Sequence, residues 1–232
     1  MKKIKNIIVK RLIGFGSFLY QKVEYKTGGD VVKVNLGCGL QCLPGWINID
    51  GSLTALFGSK NFSFINKLLY KLAGSSDYYS FKDYNKVIQK DNLKFYNLQK
   101  RVPLVDNSTN VIYCSHFLEH LSKKDGRRFL EECFRSLKRG GLLRIAVPDL
   151  DFAIGMYQQG KVEEMQGLFF YTSENWDFSA HKHNYNFPYL KSILESIGFV
   201  DVSRMSYQSG TCPDIDYLDV YPDHSLYVEC RK

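Results

Sequence analysis

The amino-acid sequence predicts an α/β fold in which a mainly parallel sheet carries helices on both faces. Seven short runs rich in apolar and β-branched residues are separated by segments whose apolar residues recur at helical spacing. This alternation favours parallel strands, because the connecting helices pack back onto the sheet. The chain has 232 residues, 44% of them hydrophobic and 15% aromatic, which is enough for one substantial core with an insertion.

The predicted strands are residues 31–36, 46–49, 93–95, 111–114, 142–147, 199–205 and 225–230. Two later helices are predicted from their apolar faces, Phe129, Leu130, Cys133, Phe134 and Leu137 in one and Leu190, Ile193, Leu194 and Ile197 in the other. Pro188 suits the first turn of the second helix, and Gly198 suits its C-terminal cap. Only nine residues separate the first two strands, so the helix there must be about one turn long or absent.

A long insertion at about residues 51–91 lies between the second and third strands. Its clearest pattern is a helical face formed by Phe64, Ile65, Leu68, Leu69 and Leu72. Lys67 and Lys71 lie on the opposite face, and Gly74 is a stop signal. We expect a cap or lid that folds over the acceptor side of the sheet, with the apolar face buried and the lysines exposed.

Residues 1–29 form a basic, amphipathic N-terminal arm, and residues 30–232 form the main domain. The formal charge of the chain is +7, and +6 of it falls before Asp30. The remainder is nearly neutral, so a nucleic-acid partner is not expected. Apolar residues from Ile7 to Leu19 recur at near-helical spacing, although Gly14 and Gly16 weaken the helix. The arm can lie on an anionic membrane surface, or it can pack across the domain's own sheet.

The six cysteines are scattered and form no C-x-x-C pair, and no histidine stands at zinc-ligand spacing from them. Reduced thiols and a cytoplasmic location are therefore expected, with contact at the inner face of a membrane if the arm binds lipid. No stretch reaches the roughly 18 apolar residues of a membrane span. We find no signal-peptide pattern.

A glycine turn after the first strand indicates where a cofactor binds. Ligands of open α/β sheets lie beyond the carboxyl ends of the strands, and Gly37, Cys38 and Gly39 occupy that position. Asp50 ends the second strand, where it can accept hydrogen bonds from both hydroxyls of a ribose. Cys42 replaces the third glycine of the dinucleotide fingerprint, and Asp50 comes only thirteen residues after Gly37. These two departures argue against a nicotinamide site.

Five spaced blocks resemble the class I S-adenosylmethionine-dependent methyltransferases of the "methyltransferase type 11" kind. They are residues 34–39 (VNLGCG), 43–50 (LPGWINID), 102–121 (VPLVDNSTNVIYCSHFLEHL), 137–149 (LKRGGLLRIAVPD) and 181–199 (HKHNYNFPYLKSILESIGF). The block at 43–50 is similar to a subgroup associated with bacterial surface-polysaccharide genes. The resemblance implies a Rossmann-like sheet of seven strands with the last antiparallel, and S-adenosylmethionine as cofactor.

The resemblance also implies a role for individual residues. Gly37, Cys38 and Gly39 would contact the methionine part of the cofactor, and Asp50 the ribose. Asn97 and Leu98 would lie against the adenine, where the family commonly has aspartate in place of Asn97; an amide can still accept a hydrogen bond there. The residues implied beneath the sulfonium are Cys114, Ser115 and His116.

Methyl transfer to a hydroxyl needs an oriented acceptor and a group that takes its proton. His181 is the first candidate for that base, because it stands in a matching block just before a helix. Asp149 is the second, and Tyr185 could position a substrate. His116 and His120 bracket Glu119, and we interpret this group as pocket lining in preference to a metal site.

Three classes of function follow from these patterns. The first is an enzyme that methylates a small molecule, such as a sugar or saccharide hydroxyl. The second is an RNA methyltransferase, which strong salt dependence of RNA binding would favour. The third is a non-catalytic module that retains the fold as a binding domain.

Overall fold

The computed structural model describes residues 2–25, 30–58, 63–72, 75–77, 79–90, 93–170 and 180–232. The strands in these residues are β1 (Lys33–Leu36), β2 (Ile47–Asp50), β3 (Leu93–Phe95), β4 (Thr109–Ser115), β5 (Leu137–Pro148), β6 (Val200–Met205) and β7 (Ser225–Arg231). The helices are α1 (Lys2–Leu19), α2 (Leu53–Phe57), α3 (Ser63–Leu72), α4 (Phe81–Lys90), α5 (Lys123–Ser136), α6 (Leu150–Gln158), α7 (Val162–Phe169), α8 (Phe187–Ile197) and α9 (Ile215–Leu218).

All seven strands form one sheet in the order β3-β2-β1-β4-β5-β7-β6. Neighbouring strands are parallel from β3 to β5, whereas β7 runs antiparallel to both β5 and β6. The predicted fold class is therefore confirmed, including the antiparallel last strand. The connection from β1 to β2 contains no helix, as its length predicted.

The two faces of the sheet are covered differently. On one face, α5 and α8 pack Phe129, Leu130 and Leu194 against the central strands. On the other face, a smaller cluster around Trp46 and Tyr113 includes residues from α9 and its flanking loop. The central strands are buried on both sides, as is usual for parallel strands.

A buried ionic network fixes the loop around α9 to the sheet. Arg144 on β5 is fully buried and donates to Asp219 (Nη2 to Oδ2, 2.5 Å) and to Glu229 on β7 (Nη1 to Oε1, 2.9 Å). The backbone amides of Thr211 and Cys212 also donate to Glu229. Each buried charge is thus paired and hydrogen-bonded, which offsets the cost of its desolvation.

Helix α1 packs onto the insertion instead of standing free. Val9 shares a buried cluster with Leu53, Leu69 and Tyr84 of the insertion. The backbone at Gly16 comes so close to the insertion that an added Cβ would lie 2.7 Å from the side chain of Leu56. The glycine that weakens α1 as an isolated helix is therefore required by its packing.

The predicted buried face of α3 is wrong in part. Phe64 is 83% exposed and Leu68 is 50% exposed, whereas Leu69 and Asn66 are buried. The helix turns Leu69 toward Val9 of α1, and Asn66 donates to Asn85 of α4 at 3.3 Å. The stop signal at Gly74 lies outside the described residues. No helix in the described ranges is long and apolar enough to cross a membrane.

Candidate functional site

A cleft of about 700 Å³ opens at the carboxyl edge of the sheet. Loops after β1, β2, β4 and β5 meet there with the start of β7, which runs the other way. The insertion and α7 form its outer walls. The lining residues are Gly39, Leu40, Ser52, Thr54, Ser75, Tyr79, His116, Glu119, His120, Pro148, Gly167, Leu168, His181, Tyr221 and His224.

Part of the insertion lines this cleft. Ser52 and Thr54 at its start, together with Ser75 and Tyr79 further on, lie on the wall. The segment therefore stands at the carboxyl edge, where a cap must lie to exclude water from a site.

The glycine turn is held in shape by left-handed backbone and by close packing. Gly37 has φ +70°, and an added Cβ would lie 2.5 Å from the ring of Phe117. Gly39 has φ +54°, but an added Cβ there would meet no atom within 4 Å. Gly39 thus leaves open space on the cleft side, into which a ligand can approach the backbone.

The backbone amides of this turn are already bonded within the protein. Gly37 and Cys38 both donate to the carbonyl of Ile49, and Gly39 donates to Oδ2 of Asp50 at 2.9 Å. These amides are therefore not free to donate to the cofactor. The Cα of Gly39, which lines the cleft and has open space beside it, remains for that contact.

Asp50 joins the turn to the insertion through its carboxylate. Oδ2 accepts from the Gly39 amide, and Oδ1 accepts from the Ser52 amide at 2.7 Å. Each carboxylate oxygen has a further lone pair, so Asp50 can still accept hydrogen bonds from ribose hydroxyls. The remaining acceptor capacity of Asp50 and the open space at Gly39 therefore fit the cofactor that the sequence implies.

Helix α1 covers the position that the sequence assigns to the adenine. The side-chain amide of Asn97 donates to Oγ of Ser17 on α1 at 3.1 Å, and its oxygen accepts from the Gln99 amide. Leu98 and Cys114 are buried in the main core and do not line the cleft. Ser115, at the end of β4, is half-buried and is absent from the lining as well.

Three histidines surround Glu119 in the turn after β4. Glu119 is 1% exposed, and neither of its carboxylate oxygens has a hydrogen-bond partner among the described residues. Its Oε1 lies 3.4 Å from Nδ1 of His116, and 4.0 Å from Nε2 of both His120 and His181. His116 reaches this position through a left-handed backbone, φ +49°.

The two outer imidazoles are oriented by main-chain carbonyls. Nδ1 of His181 donates to the carbonyl of Leu168 (2.8 Å), and Nδ1 of His120 donates to that of Ala180 (3.3 Å). A carbonyl oxygen can only accept, so Nδ1 carries the proton in both rings. In the neutral rings Nε2 is then the acceptor nitrogen, and it faces Glu119.

Burial and neighbouring charges shift the pKa values of this group. Burial raises the pKa of Glu119, but the imidazoles of His116 and His120 together lower it by more, so that the pKa lies below its ordinary value. Burial lowers the pKa of His181, which opposes the raising effect of Glu119. His181 is therefore neutral at pH 7.

Two residues predicted for the site lie elsewhere. Tyr185 is 2% exposed, packs in the core beside Gly126 and does not line the cleft, so it cannot touch a substrate there. Asp149 caps α6 by accepting from the Asp151 amide, and it pairs with Arg204 at 2.6 Å. This engagement argues against Asp149 as a base.

Among the cleft residues that the sequence did not predict are two aromatic side chains beside His116, which no motif marks. The ring of Tyr221 lies 4.2 Å from that of His116, centroid to centroid, and His224 stands next to both. They belong to the loop before β7, whose irregular sequence has no periodicity.

Residues 80–145 match the model of a family described as a methyltransferase domain. The match runs from α4 into β5 and includes Glu119, but not the glycine turn or Asp50. No curated protein matches the chain. Taken with the strand order, the match supports an S-adenosylmethionine-dependent methyltransferase, with S-adenosylmethionine as its cofactor.

Among solved structures, the chain is similar to a SAM-dependent methyltransferase from Archaeoglobus fulgidus, with 17% identity, a TM-score of 0.48, and coverage of 100% of this chain and 95% of that one. It is also similar to one from Thermotoga maritima, with 14% identity, a TM-score of 0.49 and full coverage of both chains. At this level of similarity neither protein indicates what this chain methylates.

Proposed function

We propose that this chain transfers a methyl group from S-adenosylmethionine to a hydroxyl of a sugar or saccharide. The observation that carries the proposal is a single cleft with two unlike sides. Gly39, whose amide is bonded to Asp50, lines one side, and Glu119 and His181 line the other. The bacterial surface-polysaccharide resemblance of residues 43–50 supports the choice of a saccharide.

The side of the cleft with Gly39 would bind and orient the cofactor. S-adenosylmethionine supplies an activated methyl group when bound, so the protein's own residues need only hold the two reactants in line. Residues 37–39 would contact its methionine part and Asp50 its ribose. Asn97, held by Ser17 of α1, would lie at its adenine, so that α1 forms part of this side.

The side of the cleft with Glu119 and His181 would bind the acceptor hydroxyl and remove its proton. His181 lines the cleft, and its Nε2 is the acceptor nitrogen of a neutral ring, so it can receive a hydrogen bond from a hydroxyl and take its proton. Glu119 stabilises the imidazolium that would result, because the carboxylate is 4.0 Å away in a buried setting.

Cofactor binding is tested by titrating S-adenosylhomocysteine calorimetrically into the wild-type protein and two variants. Asp50→Ala should weaken binding at least tenfold, because a charged acceptor for the ribose and the tether of Gly39 are both lost. Asp216→Ala is the matched control, since Asp216 is an exposed acid on α9. Equal affinities for the two variants would remove Asp50 from the cofactor site.

The acceptor class is tested with radiolabelled S-adenosylmethionine. Saccharides extracted from cells, total RNA and protein are each offered as substrates. Label in the saccharide fraction that resists mild base is the expected result, since methyl ethers resist mild base. Label in RNA would support the RNA methyltransferase instead. Cofactor binding without transfer to any fraction would support a non-catalytic module.

We also propose that the outer face of α1 docks on an anionic bilayer. Ile7, Ile8, Phe15, Phe18 and Leu19 are each more than half exposed and lie opposite the buried Val9 and Ser17. Of the net charge of +7, +6 falls in the same N-terminal segment. An apolar face with nearby cations is suited to an anionic membrane surface.

Sedimentation with lipid vesicles tests this contact. The protein should bind vesicles that contain the anionic lipid phosphatidylglycerol, because they carry a negative surface potential, and it should not bind vesicles of pure phosphatidylcholine. Phe18→Asp should abolish binding, whereas Tyr217→Asp, at an equally exposed aromatic of α9, should not. Binding that survives Phe18→Asp would exclude α1 as the contact.

A further inference from the structure

We propose that Glu119, His120 and His181 form a site for a divalent transition-metal ion of the zinc type. The site lies on the acceptor side of the cleft, and all three residues line it. The binding of an ion stands on geometry alone. Its use in methyl transfer, argued below, rests on the proposed function.

The three side chains offer one carboxylate oxygen and two ring nitrogens at one point. Their ligand atoms all lie within 4.8 Å of one another. The two rings lie 5.2 Å apart, centroid to centroid, and are tilted by 57° to one another. In a tetrahedral zinc site with bonds of about 2.1 Å, ligand atoms lie about 3.4 Å apart. Small side-chain rotations therefore suffice to close the site around an ion.

The protonation of the rings argues for a cation at this point. Both Nδ1 atoms donate to main-chain carbonyls, so in the neutral rings both Nε2 atoms present lone pairs toward Glu119. Three electron-rich atoms thus converge in a buried place, where a positive charge between them would be stabilised. A metal ion supplies that charge and meets all three atoms at once.

The groups around the three ligands are those that hold metal ligands in place. The carbonyls of Ala180 and Leu168 orient the two rings by accepting from Nδ1. A backbone carbonyl is a common partner for the second ring nitrogen of a metal-binding histidine. The amides of Lys182 and His183 donate to the main-chain carbonyl of Glu119, at 2.8 and 3.2 Å. The segment that carries His181 is therefore tied to the turn that carries Glu119 and His120.

The donor set narrows the choice of ion. Two imidazoles and one carboxylate suit zinc and neighbouring divalent transition metals, whereas calcium and magnesium prefer oxygen ligands. Three protein ligands leave at least one position of the ion for water or substrate, as in catalytic zinc sites. Because the three residues line the cleft, that position can face its interior.

An ion bound at this site would activate the acceptor hydroxyl. The acceptor oxygen would bind the ion, which lowers the pKa of the hydroxyl, and its proton would pass to water in the cleft. The alkoxide oxygen would then form the new bond to the methyl carbon, while the carbon–sulfur bond breaks and leaves the thioether. In this form His181 holds the ion and does not take the proton.

Cobalt(II) is the probe for the binding test. The full-length protein is first treated with a chelator and then titrated with Co²⁺ at pH 7.5, and visible absorption and bound metal are measured. We expect one ion per chain with the absorption of four- or five-coordinate Co²⁺, displaced by Zn²⁺. Glu119→Gln and His181→Gln should each weaken binding at least tenfold. His183→Gln is the matched control, because its side chain turns away to Tyr189 and should leave binding unchanged.

Failure of this inference can be told apart from failure of the proposed function. If the folded wild-type protein takes up no Co²⁺, or if Glu119→Gln binds it as well as wild type, the metal site is excluded, whatever the enzyme does. If one ion binds as expected but no methyl transfer to a saccharide is found, the proposed function fails alone. If transfer occurs at the same rate in chelated protein and with added Zn²⁺, the ion has no role in the step.

Discussion

Single residues decide the shape of the cleft, and Gly37 is the clearest case. It combines a left-handed backbone with contact to the Phe117 ring, so a side chain there meets both strain and overlap. Gly39 has the same handedness but open space around it. The sequence predicted the turn at both positions, whereas the contact with Phe117 joins residues eighty apart and leaves no local pattern.

Alanine at these two glycines should separate stability from binding. Gly37→Ala should lower the free energy of unfolding by more than the about 1–2 kcal/mol of left-handed strain, because the Phe117 ring must also move. Gly39→Ala should cost only the strain, yet it should weaken S-adenosylhomocysteine binding, since the new methyl group fills the open side of the turn. Chemical denaturation and calorimetry measure the two effects; the reverse ranking in stability would contradict this account.

His181 and His116 should also differ when changed to alanine. His181→Ala should lower kcat, by about 10²- to 10⁴-fold if its ring takes the proton, with cofactor affinity nearly intact. His116→Ala should disturb both, because its ring contacts Glu119 and Tyr221 and its Nε2 is bonded to Ser225. Steady-state kinetics and calorimetry compare the two. A His181→Ala enzyme with unchanged kcat would exclude His181 from the reaction.

At the scale of elements, the regular strands and the two later helices could be predicted from the sequence. Val34 and Leu36 are apolar positions buried in a central parallel strand, and Gly198 caps α8 with φ +116°. Helices α6 and α7 were not predicted, because few of their residues are buried and their apolar spacing is weak. The face of α3 was assigned wrongly, since it depends on α1, a partner far away in the sequence.

Two substitutions on α3 test which face is buried. Leu69→Ala should lower the free energy of unfolding by about 2–4 kcal/mol, because a buried leucine is removed from the cluster with Val9 and Tyr84. Phe64→Ala should change it by less than about 0.5 kcal/mol, because the ring is exposed. Urea denaturation of both variants measures this. Comparable losses would mean that Phe64 is covered in solution.

At the scale of the whole molecule, stability depends on charges that the sequence could not pair. Arg144 looked like one polar residue in a strand, but it holds Asp219 and Glu229 from segments more than sixty residues away. Removing it leaves two buried carboxylates without their partner. The site shows the same limit: Glu119 and His181 lie far apart in the sequence, and the amides of Lys182 and His183 hold their two segments together by donating to the carbonyl of Glu119.

Arg144→Met should therefore destabilise the protein by about 3–5 kcal/mol, the cost of leaving buried charges uncompensated. Arg127→Met is the control, because Arg127 forms an exposed pair with Glu131 and should cost at most about 1 kcal/mol. Thermal and urea unfolding at pH 7 measure both values. Equal losses would show that the buried network contributes no more than a surface pair.

Acid should destabilise the protein in two steps. Burial lowers the pKa of His181, His183 and His224, so the unfolded chain binds protons before the folded one does, and stability falls as the pH drops below about 6.5. The pKa of Glu229 is also lowered, because the Thr211 and Cys212 amides and Arg144 outweigh the effect of burial, so a further loss follows below about pH 4.5. Melting temperatures from pH 8 to 4 test this, and His183→Gln should flatten the first step. A stability that rises between pH 7 and 5 would contradict it.

The position of β7 has a consequence for how the chain is made. β7 lies between β5 and β6, so each of those strands has an unpaired edge until residues 225–231 have been synthesised. Unpaired edges of this kind attract other chains. The nascent protein therefore carries the unpaired edge of β5 from residue 148 onward, and that of β6 from residue 205 onward, until β7 is made. A chain truncated shortly before residue 225 would contain all of the helices α1 to α9, but it would have no completed cleft and a strong tendency to aggregate.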